Sequence, residues 1–361
     1  MKIVVAMSGG VDSSVAAALL KGEGHDVIGA TMQLWPRNKL ENLRNEAGAC
    51  CGLDAIEDAR RVAHKLGIPH YIMNFRDIFN QKVITDFCHE YIHGRTPNPC
   101  IRCNQYIKFD ALLIKAQEMG ADFIATGHYA RIKRDETAKR YLLKKGADAH
   151  KDQSYFLYTI TQEQLSQTMF PIGNFTKERV REIARELNLP AAAKPESQEI
   201  CFIPDDDHSR FLRDYLPQAA IPGPILDELG NVLGEHRGIM SYTIGQRKGL
   251  GIAAAEPRYV TAIEPDRNAV VVGAKEQTYG SELTASDLNW IAIARPERPI
   301  TVKAKLRYRP AEAEATVTPR DNGSVYVKFI KPQMSITPGQ AIVFFEGDTV
   351  IGGGTINREG D

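Results

Sequence analysis

Ser8-Gly9-Gly10-Val11-Asp12-Ser13-Ser14 stands between an apolar run, Lys2 to Met7, and an amphipathic segment, Ser13 to Lys21. Glycines and serines at a strand-to-helix turn bring backbone N–H groups and the positive end of the helix to one point, where a phosphate can sit. The glycines allow close backbone approach, the hydroxyls add donors, and Asp12 is placed to hold Mg²⁺ or to steer a leaving pyrophosphate. The pattern Gly-x-x-x-x-Gly-Lys-Ser/Thr is missing, so γ-phosphate transfer of the P-loop kind is unsupported.

Outward from this turn, Val27 to Leu34, His70 to Phe75 and Asp122 to Thr126 read as further buried strands. Ala55 to Leu66, Phe79 to His93 and Phe109 to Met119 carry helical patterns, several closed by a glycine (Gly22, Gly67, Gly94, Gly120). The alternation predicts an α/β fold with an N-terminal doubly wound parallel sheet over 1–205 and a ligand crevice at the carboxyl ends of its strands. After about residue 200 helical periodicity fades. Short Gly/Pro-punctuated strands through Pro222-Gly223-Pro224, Asp227 to Gly230 and Gly245 to Gly251 predict a small, mainly β central domain over 206–284. From Leu288 onward, period-two runs at Thr301 to Tyr308, Ala313 to Val317, Val325 to Phe329 and Ala341 to Phe345 predict a C-terminal β-barrel over 285–361.

The 361 residues suffice for several cores, and 43% hydrophobic with 25% charged residues excludes disorder. Lys+Arg 45 against Asp+Glu 45 excludes a uniformly basic nucleic-acid coat. Local patches remain: 131–151 carries eight Lys/Arg against three Asp/Glu, and 295–309 carries six against Glu297 alone, whereas 196–235 carries nine acids against Arg210 and Arg213. The two basic stretches are candidates for tracking phosphates, or plain solvated surface. No apolar run approaches the roughly 20 residues of a membrane span, and no signal peptide is evident, so a cytoplasmic location without membrane partners is expected.

Six cysteines are too sparse for a secreted disulfide framework. Cys50-Cys51 reads as a pair of spectators and Cys88 as a buried small side chain within its helix. Cys100 and Cys103 lie two residues apart in Asn98-Pro99-Cys100-Ile101-Arg102-Cys103-Asn104, stiffened by Pro97 and Pro99, a spacing that clamps a metal or exchanges a sulfur. Ser197-Gln198-Glu199-Ile200-Cys201-Phe202-Ile203 offers a further thiol. Thr126-Gly127-His128-Tyr129 and Lys151-Asp152-Gln153-Ser154-Tyr155-Phe156 are dense in hydrogen-bonding groups, although His128 also reads as a simple strand end.

The loop at Ser8 resembles the PP-loop of ATP pyrophosphatases, enzymes with an adenine-nucleotide α-hydrolase-like fold that cleave ATP between its α- and β-phosphates. Together with the cysteine segments, Gly245-Gln246-Arg247-Lys248-Gly249-Leu250-Gly251, Arg307-Tyr308 and Pro338-Gly339-Gln340, the chain is similar throughout its length to the bacterial tRNA-specific 2-thiouridylase family (MnmA/TrmU). That resemblance implies a tRNA sulfurtransferase that adenylates the wobble uridine at O2 and then transfers sulfur to C2. ATP with Mg²⁺ would be bound by Ala6, Met7, Ser8, Gly9, Gly10, Val11, Asp12 and Ser13, with Met32 and Gly127. Asn98, Pro99 and Cys100 would meet the target base, and His128, Lys151, Asp152, Gln153, Arg307, Tyr308 and Gln340 would touch tRNA.

Cys201 matches the family's persulfide carrier and Cys103 its partner in a transient disulfide; with Asp12 these are the expected catalytic residues. Sulfur would arrive from a relay protein or a cysteine desulfurase. Many family members have Asp where this chain has Cys100, so Cys100, Cys103 and Cys201 are also expected as ligands of a [4Fe–4S] cluster, with a persulfide relay or zinc as the competing readings. Two other functions remain open: another adenylating PP-loop synthetase, and a zinc-containing RNA-binding protein without enzymatic activity.

Overall fold

The computed structural model describes residues 1–35, 53–192, 194, 200–203, 205–254, 256–309 and 311–358. Cys50 and Cys51 lie outside the described residues. Strands β1 (Lys2–Ala6), β2 (Asp26–Gln33), β3 (His70–Asn74) and β4 (Phe123–Ala125) fall where the apolar runs predict them. With the two-residue strand β7 (Thr168–Met169) they form a parallel sheet in the order β3-β2-β1-β4-β7. Ile3, Val4 and Val5 are all fully buried, a continuous apolar run rather than an alternation, because both faces are covered. Helices α1 (Val11–Gly22) and α2 (Leu53–Leu66) pack Ala17, Leu20, Ala59 and Val62 on Ile3 and Val5. The opposite face, with Val4, Ile28 and Ala30, receives Phe79, Phe87, Ile107 and Leu112 from two helical runs, α3 (76–92) and α4 (99–118).

Both runs widen into π-helix, at Asn80–Ile84 and Asn104–Ala111, a geometry that recurs at functional sites. The run expected from Phe109 starts at Pro99, because Asn98 caps it and Pro99 occupies its first turn. Sheet order reverses about β1, with β2 on one side and β4 on the other, so the crevice opens after Ala6 and after Ala125.

Short elements escape the periodicity reading. Strands β5 (Ala130–Asp135) and β6 (Arg140–Lys145) form a hairpin, and helices α5 (Gln162–Ser166), α6 (Lys177–Glu186) and α7 (His208–Tyr215) each begin at a side-chain cap: Thr161, Thr176 and Asp207. The central region builds a four-stranded sheet from β8 (Gly223–Leu226), β9 (Val232–His236), β10 (Tyr259–Glu264) and β11 (Ala269–Gly273), in the order β10-β11-β8-β9.

The remaining strands are β12 (Tyr279–Trp290), β13 (Ile300–Lys305), β14 (Ala313–Pro319), β15 (Val325–Met334), β16 (Ala341–Glu346) and β17 (Thr349–Ile356). Since β12 pairs with both β15 and β17, these six close into a barrel around Val302, Val317, Val327 and Phe344. The expected division between 284 and 285 falls inside β12.

The barrel is stitched to the N-terminal unit. Arg140 donates to the carbonyls of Ile291 (2.8 Å) and Trp290 (2.9 Å), Asn289 to those of Tyr158 (2.7 Å) and Ile160 (2.9 Å), and β6 touches β17 through Lys144 and Thr349. Arg131 and Lys144 share Asp348 at 3.0 Å each, and Lys145 pairs with Glu312. Three cations of the basic stretch 131–151, Arg131, Lys144 and Lys145, are therefore paired with acids next to or within the barrel, and Arg140 is bound to its backbone.

Four histidines, at positions 70, 128, 208 and 236, have pKa values lowered chiefly by burial. His236 is fully buried; its Nε2–H donates to the Asn268 carbonyl (2.9 Å) and its Nδ1 accepts from the Gly238 N–H (3.0 Å), which fixes the neutral tautomer. Protonation would cost the second bond. With folded pKa values below the unfolded value of about 6.5, the unfolded chain binds more protons under that pH. Stability is therefore expected to hold above about pH 6.5 and to fall as pH drops through the depressed values. Urea unfolding at pH 7.5 and at pH 5.5 should show the midpoint decline, and His236→Asn should flatten that decline.

Candidate active site

The loop after β1 is shaped by contacts that exclude larger residues. Gly9 has φ +71°, and a Cβ there would lie 2.4 Å from the Ala55 carbonyl oxygen; one on Gly127 would lie 2.6 Å from the Ser13 nitrogen. The turn is held from inside. Ser13 Oγ accepts from the Ser8 N–H (3.2 Å), and the hydroxyls of Ser13 and Ser14 donate to the Gly10 carbonyl (3.2 and 2.8 Å). No side chain caps the N-terminus of α1, where Gly10 is the cap residue. The loop thus presents N–H groups without a carboxylate cap of its own, as an anion site requires. Met7 is buried beneath it, Thr31 Oγ1 donates to the Met7 carbonyl (2.8 Å), and Met32 packs partly buried at the same sheet edge.

Asp12 is not idle. Lys177 Nζ reaches both of its carboxylate oxygens (2.8 and 2.7 Å), and the Tyr129 hydroxyl donates to Oδ1 (2.7 Å). Lys177 is 8% exposed, at the first position of α6, with its backbone N–H on Asp148 (2.9 Å). Nothing in the sequence around Lys177 marks it for this contact. Thr176, a cap residue before a helical pattern, was the available signal for the helix but not for the contact.

Cys103 closes the first turns of α4 and is buried, whereas Cys100 is exposed. Burial pushes the Cys103 thiol up, and the nearby Lys108 ammonium partly offsets this. Lys108 Nζ also lies 3.4 Å from His128 Nε2, while His128 Nδ1 meets Thr126 Oγ1 at 2.7 Å. An ammonium only donates, so Nε2 is the acceptor and Nδ1 carries the proton. Burial and then Lys108 hold the His128 pKa well below the ordinary histidine value, so the ring is neutral at pH 7. Asp12, Gly127, His128 and Lys108 thereby form a continuous line from the phosphate loop to the helix of Cys103. Lys108 had no local sequence signal.

Cys201 is half-buried against the main core, anchored by its neighbour Phe202, whose ring meets those of Phe79 (5.8 Å), Phe87 (5.4 Å) and Phe211 (5.3 Å). Residues 195–199 lie outside the described residues. Cys88 is buried, as expected for a packing residue. Among the described residues, no group of three His, Cys, Asp or Glu side chains stands ready to hold a metal ion. The expected trio of Cys100, Cys103 and Cys201 is therefore not gathered as a preformed cluster or zinc site.

The candidate tRNA residues divide by their engagement. Asn98 caps α4, accepting from the Ile101 N–H (3.4 Å), with Pro99 buried behind it. Gln340, from the turn before β16, donates to the carbonyls of Thr96 (2.9 Å) and Pro97 (3.4 Å), so the barrel holds the approach to Asn98. Asp152 accepts from the Gly146 and Ser154 N–H groups and the Ser154 hydroxyl, and Gln153 Oε1 from the Tyr129 N–H. Both shape the loop that carries Lys151. Arg307 Nη2 donates to the Ser335 carbonyl (2.9 Å) and Thr337 Oγ1 (3.0 Å), and the Tyr308 ring lies tilted against that of Phe156 at 4.7 Å.

Comparison with known proteins agrees along the whole chain. Family models described as a tRNA methyl transferase HUP domain, a tRNA methyl transferase PRC-barrel domain and an aminomethyltransferase beta-barrel domain match residues 1–205, 209–274 and 280–356. The tRNA-specific 2-thiouridylase MnmA of Acetivibrio thermocellus is 55% identical over 98% of this chain and 99% of its own. That of Heliobacterium modesticaldum is 56% identical over 99% and 93%. A solved 4-thiouridine synthetase–RNA complex with bound ATP aligns at TM-score 0.37 with 18% identity over 60% of this chain and 50% of its own, too slight a likeness to bear on the argument. With three successive domains matched and more than half of all residues identical to full-length relatives, the chain belongs to the tRNA-specific 2-thiouridylase family.

Proposed function

We propose that this chain is a tRNA sulfurtransferase that uses ATP to activate a wobble uridine at O2 and replaces that oxygen with sulfur, giving 2-thiouridine. The observation that carries this reading is the line from Asp12 through Gly127, His128 and Lys108 to the helix bearing Cys103, which joins a phosphate loop to sulfur chemistry. A synthetase adenylating a small metabolite needs no such thiol. A zinc-containing RNA-binding protein needs no such loop.

In this reading the base leaves its stack to enter beside Asn98, since a stacked base cannot present its C2 carbonyl. Uridine O2 attacks the α-phosphorus of ATP, the bond to the β-phosphate breaks, and pyrophosphate departs from the Ser8–Ser13 loop. The divalent cation that accompanies ATP supplies charge neutralisation on the phosphates, with Asp12 as the loop's carboxylate toward it. Cys201 carries a persulfide delivered by a sulfur-relay protein or a cysteine desulfurase. Its terminal sulfur attacks C2, and AMP leaves with the former O2. The Cys103 thiolate then attacks Cys201 Sγ, which leaves the thiocarbonyl on the base and a Cys103–Cys201 disulfide for a cellular dithiol to reduce.

Mass analysis of the wobble nucleoside in cells lacking the protein tests the reading. 2-Thiouridine is expected to disappear and to return with the purified chain, ATP and a sulfur donor, with AMP and pyrophosphate formed once per sulfur inserted. Unchanged 2-thiouridine, or ATP–pyrophosphate exchange driven by a small metabolite without tRNA, would overturn it.

A further inference from the structure

The phosphate loop lacks the lysine that follows the glycines in P-loop proteins, yet a lysine stands at it. Lys177 arrives from 165 residues downstream of Asp12, and both ends of the pair lie in the first turn of a helix, α1 for Asp12 and α6 for Lys177. Val11, Val15, Val180 and Ile183 share one apolar cluster, which fixes the two helices against each other. The Tyr129 ring lies 5.8 Å from the ammonium, and its hydroxyl shares Asp12 Oδ1. The cation thus stands over the carboxylate whose neighbours, Ser13 and Gly127, form the cradle.

Electrostatics gives this pair a second state. At rest the two charges cancel, and Lys177, almost wholly buried, could not persist there unpaired without a large penalty. A pyrophosphate group brings several negative charges to within a few ångströms of Asp12. Bare, the carboxylate repels it; the ammonium, which only donates, attracts it. A cation accompanying the nucleotide would draw on Asp12 and loosen its hold on Lys177 at the place where the leaving phosphates gain charge. Stabilisation of charge that develops in the transition state is what accelerates such a step.

Resting on the reading of the loop as an ATP site, we propose that Lys177 is a catalytic residue that binds the leaving pyrophosphate, held in reserve by Asp12 until the nucleotide arrives. No proton moves in this exchange. The ammonium trades hydrogen bonds to carboxylate for hydrogen bonds to phosphate oxygens while the α–β phosphoanhydride bond breaks and the O2–phosphorus bond forms.

The test is binding of inorganic pyrophosphate to the full chain in EDTA, by calorimetry, across a double-mutant cycle. Asp12→Asn is expected to tighten binding several-fold, since it removes the repulsion and the charge that holds Lys177 in place. In that background Lys177→Met should weaken binding by at least tenfold, and Lys177→Arg should retain most of it. The double variant removes both charges of the pair together and remains informative should Lys177→Met alone fold poorly; melting temperatures check each protein. With ATP and tRNA, Lys177→Met should slow pyrophosphate release at saturating ATP with tRNA affinity changed less than twofold. A loss below twofold on adding Lys177→Met to Asp12→Asn would show that Lys177 only neutralises Asp12, and would overturn the proposal. So would an Asp12→Asn chain that binds no pyrophosphate at millimolar concentration. Wild-type binding that depends on Lys177, without any tRNA thiolation, would uphold Lys177 and defeat the tRNA reading instead.

Discussion

Asp12→Ala is expected to slow pyrophosphate release from ATP by about 10²- to 10³-fold, the scale of losing one preorganised electrostatic group, while tRNA affinity changes less than twofold. The separation follows from geometry. Asp12 sits in the first turn of α1 with Lys177 and Tyr129 on its oxygens, whereas Asn98, Lys151, Arg307 and Gln340 hang from other elements. Truncation removes the carboxylate that both the buried Lys177 and the Tyr129 hydroxyl hold, which destabilises the loop as well as the chemistry. Asp12→Asn removes the charge and keeps an oxygen to accept from Lys177 and the Tyr129 hydroxyl, so comparing the two variants separates loss of charge from loss of these hydrogen bonds. A single-turnover assay of labelled pyrophosphate beside tRNA filter binding measures both. Normal thiolation by either variant would remove Asp12 from the mechanism.

What the sequence disclosed depended on the range of the interaction. Ser8 to Ser14 announced the crevice because its chemistry is local: consecutive N–H groups, one helix start, glycines with steric reasons to be there. Strands β1, β2 and β4 were legible because burial on both faces leaves apolar runs such as Ile3-Val4-Val5, whereas β3, at the sheet edge with Tyr71 exposed, buries chiefly Met73. The hairpin of β5 and β6 was not, since its residues are mostly half-exposed and its cations answer acids on the barrel, Asp348 and Glu312, that only the fold brings near. The same reason hid Lys177 and Lys108. Each acquires its role from a partner remote in sequence, Asp12 or His128, and no periodicity encodes such a pairing. Arg307 was singled out as a phosphate contact, yet one of its nitrogens is committed to the 335–337 turn. Its sequence neighbourhood records charge but not occupancy.

Cys201→Ser and Cys103→Ser are each expected to lower sulfur transfer by about 10³-fold or more, and the double variant to be no worse than either, because the two thiols act on one sulfur as a unit. AMP formation in a single turnover should survive in both, since neither thiol belongs to the phosphate loop. The reactivities should also differ. Cys100 is exposed and should be alkylated by iodoacetamide before Cys103 at pH 7, since burial both shields Cys103 and pushes its thiol up, so its thiolate is scarce there. The rate of the step that uses the Cys103 thiolate should therefore keep rising with pH past the ordinary thiol value of about 8.5. Lys108→Met removes the charge that partly offsets burial, so its profile should move further to the alkaline side. Cys100 decides between the sulfur routes. A persulfide passing from Cys201 to the base with Cys103 as resolving thiol leaves Cys100 outside the chemistry, and Cys100→Ser should then keep most of the activity. Activity lost in Cys100→Ser, together with iron in the anaerobically purified chain, would mean that the three thiols gather around a cluster and that the two-cysteine relay is wrong.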